Sequence, residues 1–192
     1  MAGRKRDFPA SRKKLNSSAK KSFFSRLFMG ILMVAILAAI LFAVTSKGKV
    51  TAGVPIGKRP LDVALKDFAG KRVVIPEDVK GKVVFIHFWV SSCSYCAKGM
   101  CTLESYSRKH HTKGVRVFSI NAGETRHNAM RYMENLKISY PILLDPDLSV
   151  TRSYGVSGVP TTYILDRESV LRFKILGEIT ADKLDNISRT LL

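Results

Sequence analysis

Apolar and polar positions divide the chain into three stretches. Residues 1–26 are rich in Lys and Arg, Leu27 to Ser46 carries no charge, and later apolar runs alternate with polar turns. In the third stretch Lys82–Val90 is nearly all apolar, the pattern of a strand buried on both faces. Before it, Asp62–Lys66 and Lys71–Ile75 read as a short hairpin around Asp67-Phe68-Ala69-Gly70, and Pro76–Lys80 as a turn or one helical turn. After it come a helix over Cys93–Lys109 ending near Gly114, a strand over Val115–Asn121, and a helix over Thr125–Leu136. Ala129, Tyr132, Met133 and Leu136 form the apolar stripe of that second helix. Pro141–Leu144 is extended and Leu148–Tyr154 helical. Thr161–Asp166 and Leu171–Leu176 are strands joined by Arg167-Glu168-Ser169, and Thr180 caps a last helix to Leu191. Strands alternating with helices, then a closing hairpin, predict an α/β fold with a mixed central sheet and no internal repeat.

The uncharged stretch predicts a membrane anchor. Leu27–Val44 is almost wholly apolar, and eighteen helical residues cover about 27 Å, close to the hydrocarbon core of about 30 Å. Charge explains its direction. Residues 1–26 hold nine Lys and Arg against Asp7, while only Lys47 and Lys49 follow closely. The positive-inside rule puts residues 1–26 in the cytoplasm as a basic tail, 27–46 across the cytoplasmic (inner) membrane as a single-pass signal-anchor, and the rest outside, in the periplasm. A cleaved signal peptide is the competing reading, but its apolar region is normally shorter and Val44-Thr45-Ser46 is a poor cleavage site. A buried core helix would leave the lopsided basic flank unexplained. Residues 47–60 mix Gly, Pro and Lys and read as a linker, leaving 61–192 as the folded domain. The net charge of +17 otherwise suggests phosphate partners, but no nucleic-acid motif is present and the basic residues after residue 26 are scattered. The basic tail also suits anionic lipid on the cytoplasmic face.

Candidate chemistry sits where the apolar strand meets the first helix. Cys93-Ser94-Tyr95-Cys96 opens that helix. Unpaired N–H groups and the helix dipole there favour an anion, so Cys93 is expected to ionise readily, and Cys96, one turn on, can close a disulfide with it. The pair can exchange disulfides with a partner. Half of a zinc site is the alternative, but Cys101 and four histidines without paired spacing do not complete one. Cys101 lies too far along a helix to pair with Cys96, so burial is its default role and a reactive thiol the other reading.

Several separate pieces are together similar to one family. They are Gly81-Lys82-Val83-Val84, Phe88-Trp89 before Cys93-x-x-Cys96, Tyr140-Pro141-Ile142-Leu143-Leu144-Asp145, Tyr154-Gly155-Val156, Gly158-Val159-Pro160-Thr161-Thr162-Tyr163-Ile164-Leu165-Asp166 and Gly177-Glu178-Ile179-Thr180. From about residue 58 onward the chain resembles the membrane-anchored TlpA/ResA-type thioredoxin-like oxidoreductases. The resemblance implies a thioredoxin fold with an N-terminal hairpin and a strand–helix insertion over about residues 115–137. It implies a cis Val159–Pro160 bond facing the dithiol, at a groove that also involves Trp89 and Tyr95, where an extended client segment pairs with the backbone. An ordinary trans proline at a strand start is the plain reading of Pro160.

The chain departs from the family pattern at four places: Ser92 for the common Trp, His87 for an Asn or Asp, Gly99 for a Glu, and Cys101 for a Pro. His87 is either a proton acceptor for the Cys96 thiol or a neutral core histidine with one hydrogen-bond partner. Tyr95 tunes the thiol environment or touches substrate.

The function expected is a membrane-tethered, extracytoplasmic protein disulfide oxidoreductase with Cys93 as nucleophile and Cys96 resolving. It needs no organic cofactor or metal. Its partners are extracytoplasmic protein thiols and disulfides and a separate membrane electron donor. By resemblance, clients include apocytochrome c or proteins assembling an oxidase copper site. The rivals are a disulfide oxidase or isomerase using the same atoms, a copper chaperone using the soft thiolates, and a thiol peroxidase, whose usual Pro and Thr setting is missing.

Overall fold

The computed structural model describes residues 17–45 and 53–192, and the chain separates into two compact units, Met1–Lys49 and Val50–Leu192. In the first, α1 spans Ser17–Thr45, and its large apolar side chains between Phe28 and Leu41 are exposed. Among the described residues no helix is long and apolar enough to cross a membrane. Residues 1–16 of the expected basic tail, and 46–52 at the end of the apolar stretch and the start of the linker, lie outside the described residues.

The second unit is built on a seven-stranded sheet in the order β2-β1-β5-β4-β3-β6-β7. The strands are β1 (Val63–Asp67), β2 (Arg72–Ile75), β3 (Val83–Trp89), β4 (Val115–Ala122), β5 (Ile142–Asp145), β6 (Thr161–Leu165) and β7 (Leu171–Leu176). The helices are α2 (Ser94–His110), α3 (Arg126–Met133), α4 (Ser149–Ser153) and α5 (Ala181–Leu191). β3 runs parallel to β4 and β4 to β5, while β6, β7, β1 and β2 add antiparallel at the two sides. This is the mixed α/β sheet of the thioredoxin-like fold, with the hairpin β1–β2 beyond β5.

β3, apolar except for His87, is central and buried throughout. Because side chains alternate across a strand, Val83, Phe85 and Trp89 point into the core that includes α2 and α5, with Met100, Leu103, Leu184 and Ile187. Val84, Ile86 and Phe88 point to the other face, with Ile120, Leu143, Tyr154 and Tyr163. Each such side chain fully buried contributes about 1.5–3 kcal/mol. His87 falls, by parity, on the α2 face between Phe85 and Trp89.

Three local features differ from the sequence reading. The second helix stops at Met133 instead of Leu136, because the Leu136 amide bonds to the Met133 carbonyl three residues back and tightens the last turn. The described part of the expected linker, 53–60, is packed on the domain: Val54 joins the second core face, and Gly57 and Lys58 bond to Leu171 through the backbone. Gly53 sits so close to Tyr154 that a Cβ there would stand 2.4 Å from the Tyr154 carbonyl oxygen, which accounts for glycine at that point. Finally, Ile75–Pro76 is cis as well as Val159–Pro160.

Candidate functional site

β3 ends at Trp89, and the loop 90–93 delivers Cys93 to the N-cap of α2 in an extended conformation. Cys93 and Cys96 form a disulfide with Cα atoms 5.4 Å apart. The two sulfurs differ in access: Cys93 is half-buried, whereas Cys96 is wholly buried against Trp89 and Met100 in the core. No acidic residue lies in the first turn of α2. Tyr95 between them is exposed, and the Lys98 ammonium sits over its ring at 5.7 Å.

The loop is held from the side by two elements. Glu124 accepts from the Ser91 amide at 2.8 Å, the Ser91 hydroxyl at 2.5 Å and the Asn121 amide at 2.6 Å. Burial works against ionisation of Glu124, but these hydrogen bonds outweigh it and hold its carboxyl below the usual range. From α3, Tyr132 donates its hydroxyl to the Cys93 carbonyl at 3.2 Å and stacks on Trp89 with ring centroids 5.3 Å apart. Burial raises the Tyr132 phenol, so it stays protonated and remains a donor.

His87 lies beneath the dithiol helix. It is fully buried; Nδ1 lies 2.9 Å from the Thr162 hydroxyl, and Nε2 has no hydrogen-bond partner among the described residues. Its ring fills the space against Gly99, where a Cβ would stand 3.3 Å from Cε1. Burial lowers its pKa to about 4, so the imidazole is neutral at pH 7. Thr162 pairs with His87 in the β3–β6 register, and Phe88 pairs with Thr161. That register sets Val159 and the cis Pro160 at the end of the sheet from which the cysteine loop emerges. Pro160 is buried and its carbonyl accepts from Gly177, whereas the backbone N–H and carbonyl of Val159 have no partner among the described residues.

Two sequence expectations change. Trp89, expected in the client groove, is fully buried under Tyr132, because its parity on β3 turns it into the core. Cys101, expected to be buried, is an exposed free thiol, because five residues of helix carry it off the core face on which Cys96 and Met100 lie. The residues that escaped sequence reasoning are Ser91, Glu124 and Thr162, which sit far apart in the chain, and Tyr132, which reads there as one more stripe residue. Among the described residues, no three His, Cys, Asp or Glu side chains gather in a way that could hold a metal ion.

The sequence pattern of the redoxin family matches residues 45–191. The chain is 29% identical over 130 residues to the thiol-disulfide oxidoreductase ResA of Bacillus cereus, spanning 68% of this chain and 75% of that one. It is 27% identical to ResA of Bacillus subtilis over 161 residues, 84% and 88% of the two chains. Among solved structures, a Chlorobium tepidum chain provisionally designated the thiol:disulfide interchange protein DsbE superposes with a TM-score of 0.66 at 27% identity, covering 72% of this chain and 97% of that one. StoA from Bacillus subtilis, at 23% identity and a TM-score of 0.59 over 67% and 97% of the two chains, shares the fold. With a half-buried Cys93 and a buried Cys96 at the start of α2 of such a fold, the chain belongs to the redoxin family and is a ResA/TlpA-type, thioredoxin-like thiol–disulfide oxidoreductase.

Proposed function

We propose that this chain is a membrane-tethered, extracytoplasmic reductase of client-protein disulfides. The observation that carries the chemistry is the unequal access of the pair: Cys93 half-exposed at a helix N-terminus, Cys96 buried one turn on. The dipole and free amides favour the Cys93 thiolate over the thiol. That thiolate attacks one sulfur of a client disulfide, and the other client sulfur leaves as a thiolate that takes up a proton. Cys96, losing its proton, then attacks the Cys93 sulfur of the mixed disulfide and releases the second client thiolate. Two electrons pass to the client, and the protein ends with the Cys93–Cys96 disulfide.

His87 is the group in this reading that takes the Cys96 proton. It is neutral, and its Nε2 is uncommitted on the α2 side, one turn from Cys96. The unpaired backbone of Val159 is the edge on which an extended client segment pairs, with Pro160 shaping the turn. Tyr95, exposed between the cysteines, touches the client. Apocytochrome c and oxidase-assembly proteins are the clients suggested by resemblance, and a membrane donor of thiol electrons returns the pair to the dithiol. The uncharged run 27–46 and its basic flank support tethering at the cytoplasmic membrane with residues 1–26 inside. Disulfide donation or isomerisation uses the same atoms in reverse, and the potential of the pair selects between them.

A Cys96→Ala form of the full chain tests the exchange step. It is expected to accumulate client proteins disulfide-linked to Cys93, released by reductant, while Cys93→Ala accumulates none. Full activity in Cys93→Ala would sink the proposal.

A further inference from the structure

Beside the cysteine loop lies a recess of about 320 Å³ lined by Ser91, Asn128, Arg131 and Tyr132. We infer that it is a subsite for a carboxylate-bearing client side chain close to the cysteine being attacked. The inference rests on the disulfide-exchange reading above and adds a class of client to it.

Position comes first. Two walls of the recess belong to the machinery that presents Cys93. Ser91 is two residues upstream of it, and the Tyr132 hydroxyl is bonded to the Cys93 carbonyl. A client segment joined to Cys93 through a disulfide therefore passes the mouth of this recess. The volume suits one acidic side chain, and the recess is open to solvent on one side.

Charge comes second. Arg131 is in no ion pair among the described residues; its guanidinium contacts His127 Nε2 at 3.1 Å. A guanidinium can only donate, so His127 accepts there and the positive charge is unbalanced. Of the two acids near it in the chain, Glu134, three residues on, makes no ion pair with Arg131, and Glu124 has both oxygens turned to Ser91 and Asn121. The Asn128 side-chain amide makes no hydrogen bond among the described residues, which leaves a second donor beside Arg131. The planar fork of Arg131 matches a carboxylate in a bidentate way that a lysine does not. Residues 50–192 carry 21 Lys and Arg against 14 Asp and Glu, an excess of 7, so the wider field also favours an acidic segment.

The test uses the reduced full chain in detergent and three disulfides: hydroxyethyl disulfide, and two otherwise identical peptide disulfides with Glu or with Lys two positions from the cysteine. Second-order exchange rates of each peptide are divided by the hydroxyethyl disulfide rate of the same protein, so general effects on the dithiol cancel. The wild type is expected to favour the Glu peptide by about three- to fivefold at low salt, an advantage that shrinks as salt screens it. Arg131→Glu is expected to reverse the order. Equal rates for the two peptides in the wild type, or an unchanged ratio in Arg131→Glu, would overturn the subsite. Failure of the wild type to reduce hydroxyethyl disulfide at all would instead remove the exchange reading itself.

Discussion

The imidazole of His87 lies directly against Gly99: a Cβ on that glycine would stand 3.3 Å from His87 Cε1 and 3.4 Å from Ile179 Cγ2. The two departures from the family pattern are thus one packing solution, with a buried histidine on the strand and no side chain on the helix. Gly99→Ala sets a helix-propensity gain of up to about 1 kcal/mol against this crowding and is expected to stay within about 1 kcal/mol of wild type. Gly99→Leu forces the ring and Ile179 aside and is expected to cost about 1–3 kcal/mol. Urea unfolding of the oxidised protein measures both, and a Leu variant as stable as wild type would show the pocket to be loose.

His87 also sets a pH dependence. Its native pKa is lowered to about 4 from an ordinary value near 6.5. Between those values the unfolded chain binds a proton that the native state does not. The contribution is therefore fully present above about pH 6.5 and is lost as pH falls toward 4, by about 3 kcal/mol in all. Urea midpoints of wild type are expected to drop between pH 7 and pH 4.5 more steeply than those of His87→Gln. Parallel slopes would mean that His87 is already solvated in the native state.

If His87 accepts the Cys96 proton, its removal slows resolution and spares the first attack. His87→Gln is expected to slow decay of the mixed disulfide by about a hundredfold in stopped-flow chase experiments, the usual scale of general-base assistance. The rate of Cys93 alkylation serves as the comparison. Equal slowing of both steps would mark a structural effect instead.

The latch on the cysteine loop is testable by deletion of single polar groups. Tyr132→Phe removes one hydrogen bond to the Cys93 carbonyl and is expected to cost about 1 kcal/mol. Glu124→Ala leaves the Ser91 amide and Asn121 amide without their acceptor and is expected to cost about 1–3 kcal/mol. Hydrogen exchange at residues 91–93 should rise in both, and unchanged protection would show that other contacts hold the loop.

Cys101 is exposed and Cys96 is not. Under native conditions the oxidised protein is expected to react with one equivalent of a thiol reagent, at Cys101. The reduced protein reacts quickly at Cys93 and Cys101 and slowly at Cys96. Peptide mapping reads the sites, and a native oxidised protein with no reactive thiol would contradict the exposure.

Strand and helix order was legible because period and turn chemistry are local. The apolar run before Cys93 implied a buried central strand, and β3 is that strand. The helix-capping place of Cys93 followed from the same reading. What depended on contacts across the fold was not legible. The parity that buries Trp89 is readable only once β3 is set against α2. The burial of Cys101 was expected from residue type, and the helix phase overrides it. The Glu124–Ser91 contact spans 33 residues and leaves no local signature. The docking of residues 53–60 runs through backbone bonds to Leu171, which composition does not encode.

The reduction potential of the Cys93–Cys96 pair in the full chain, equilibrated against defined thiol–disulfide buffers, separates a reductase from a disulfide donor. The value expected is near or below about −250 mV, in the range of thioredoxin, as a reductase fed by an external donor requires. A value near about −120 mV, that of a strong oxidant, would contradict it and make the protein a donor of disulfides.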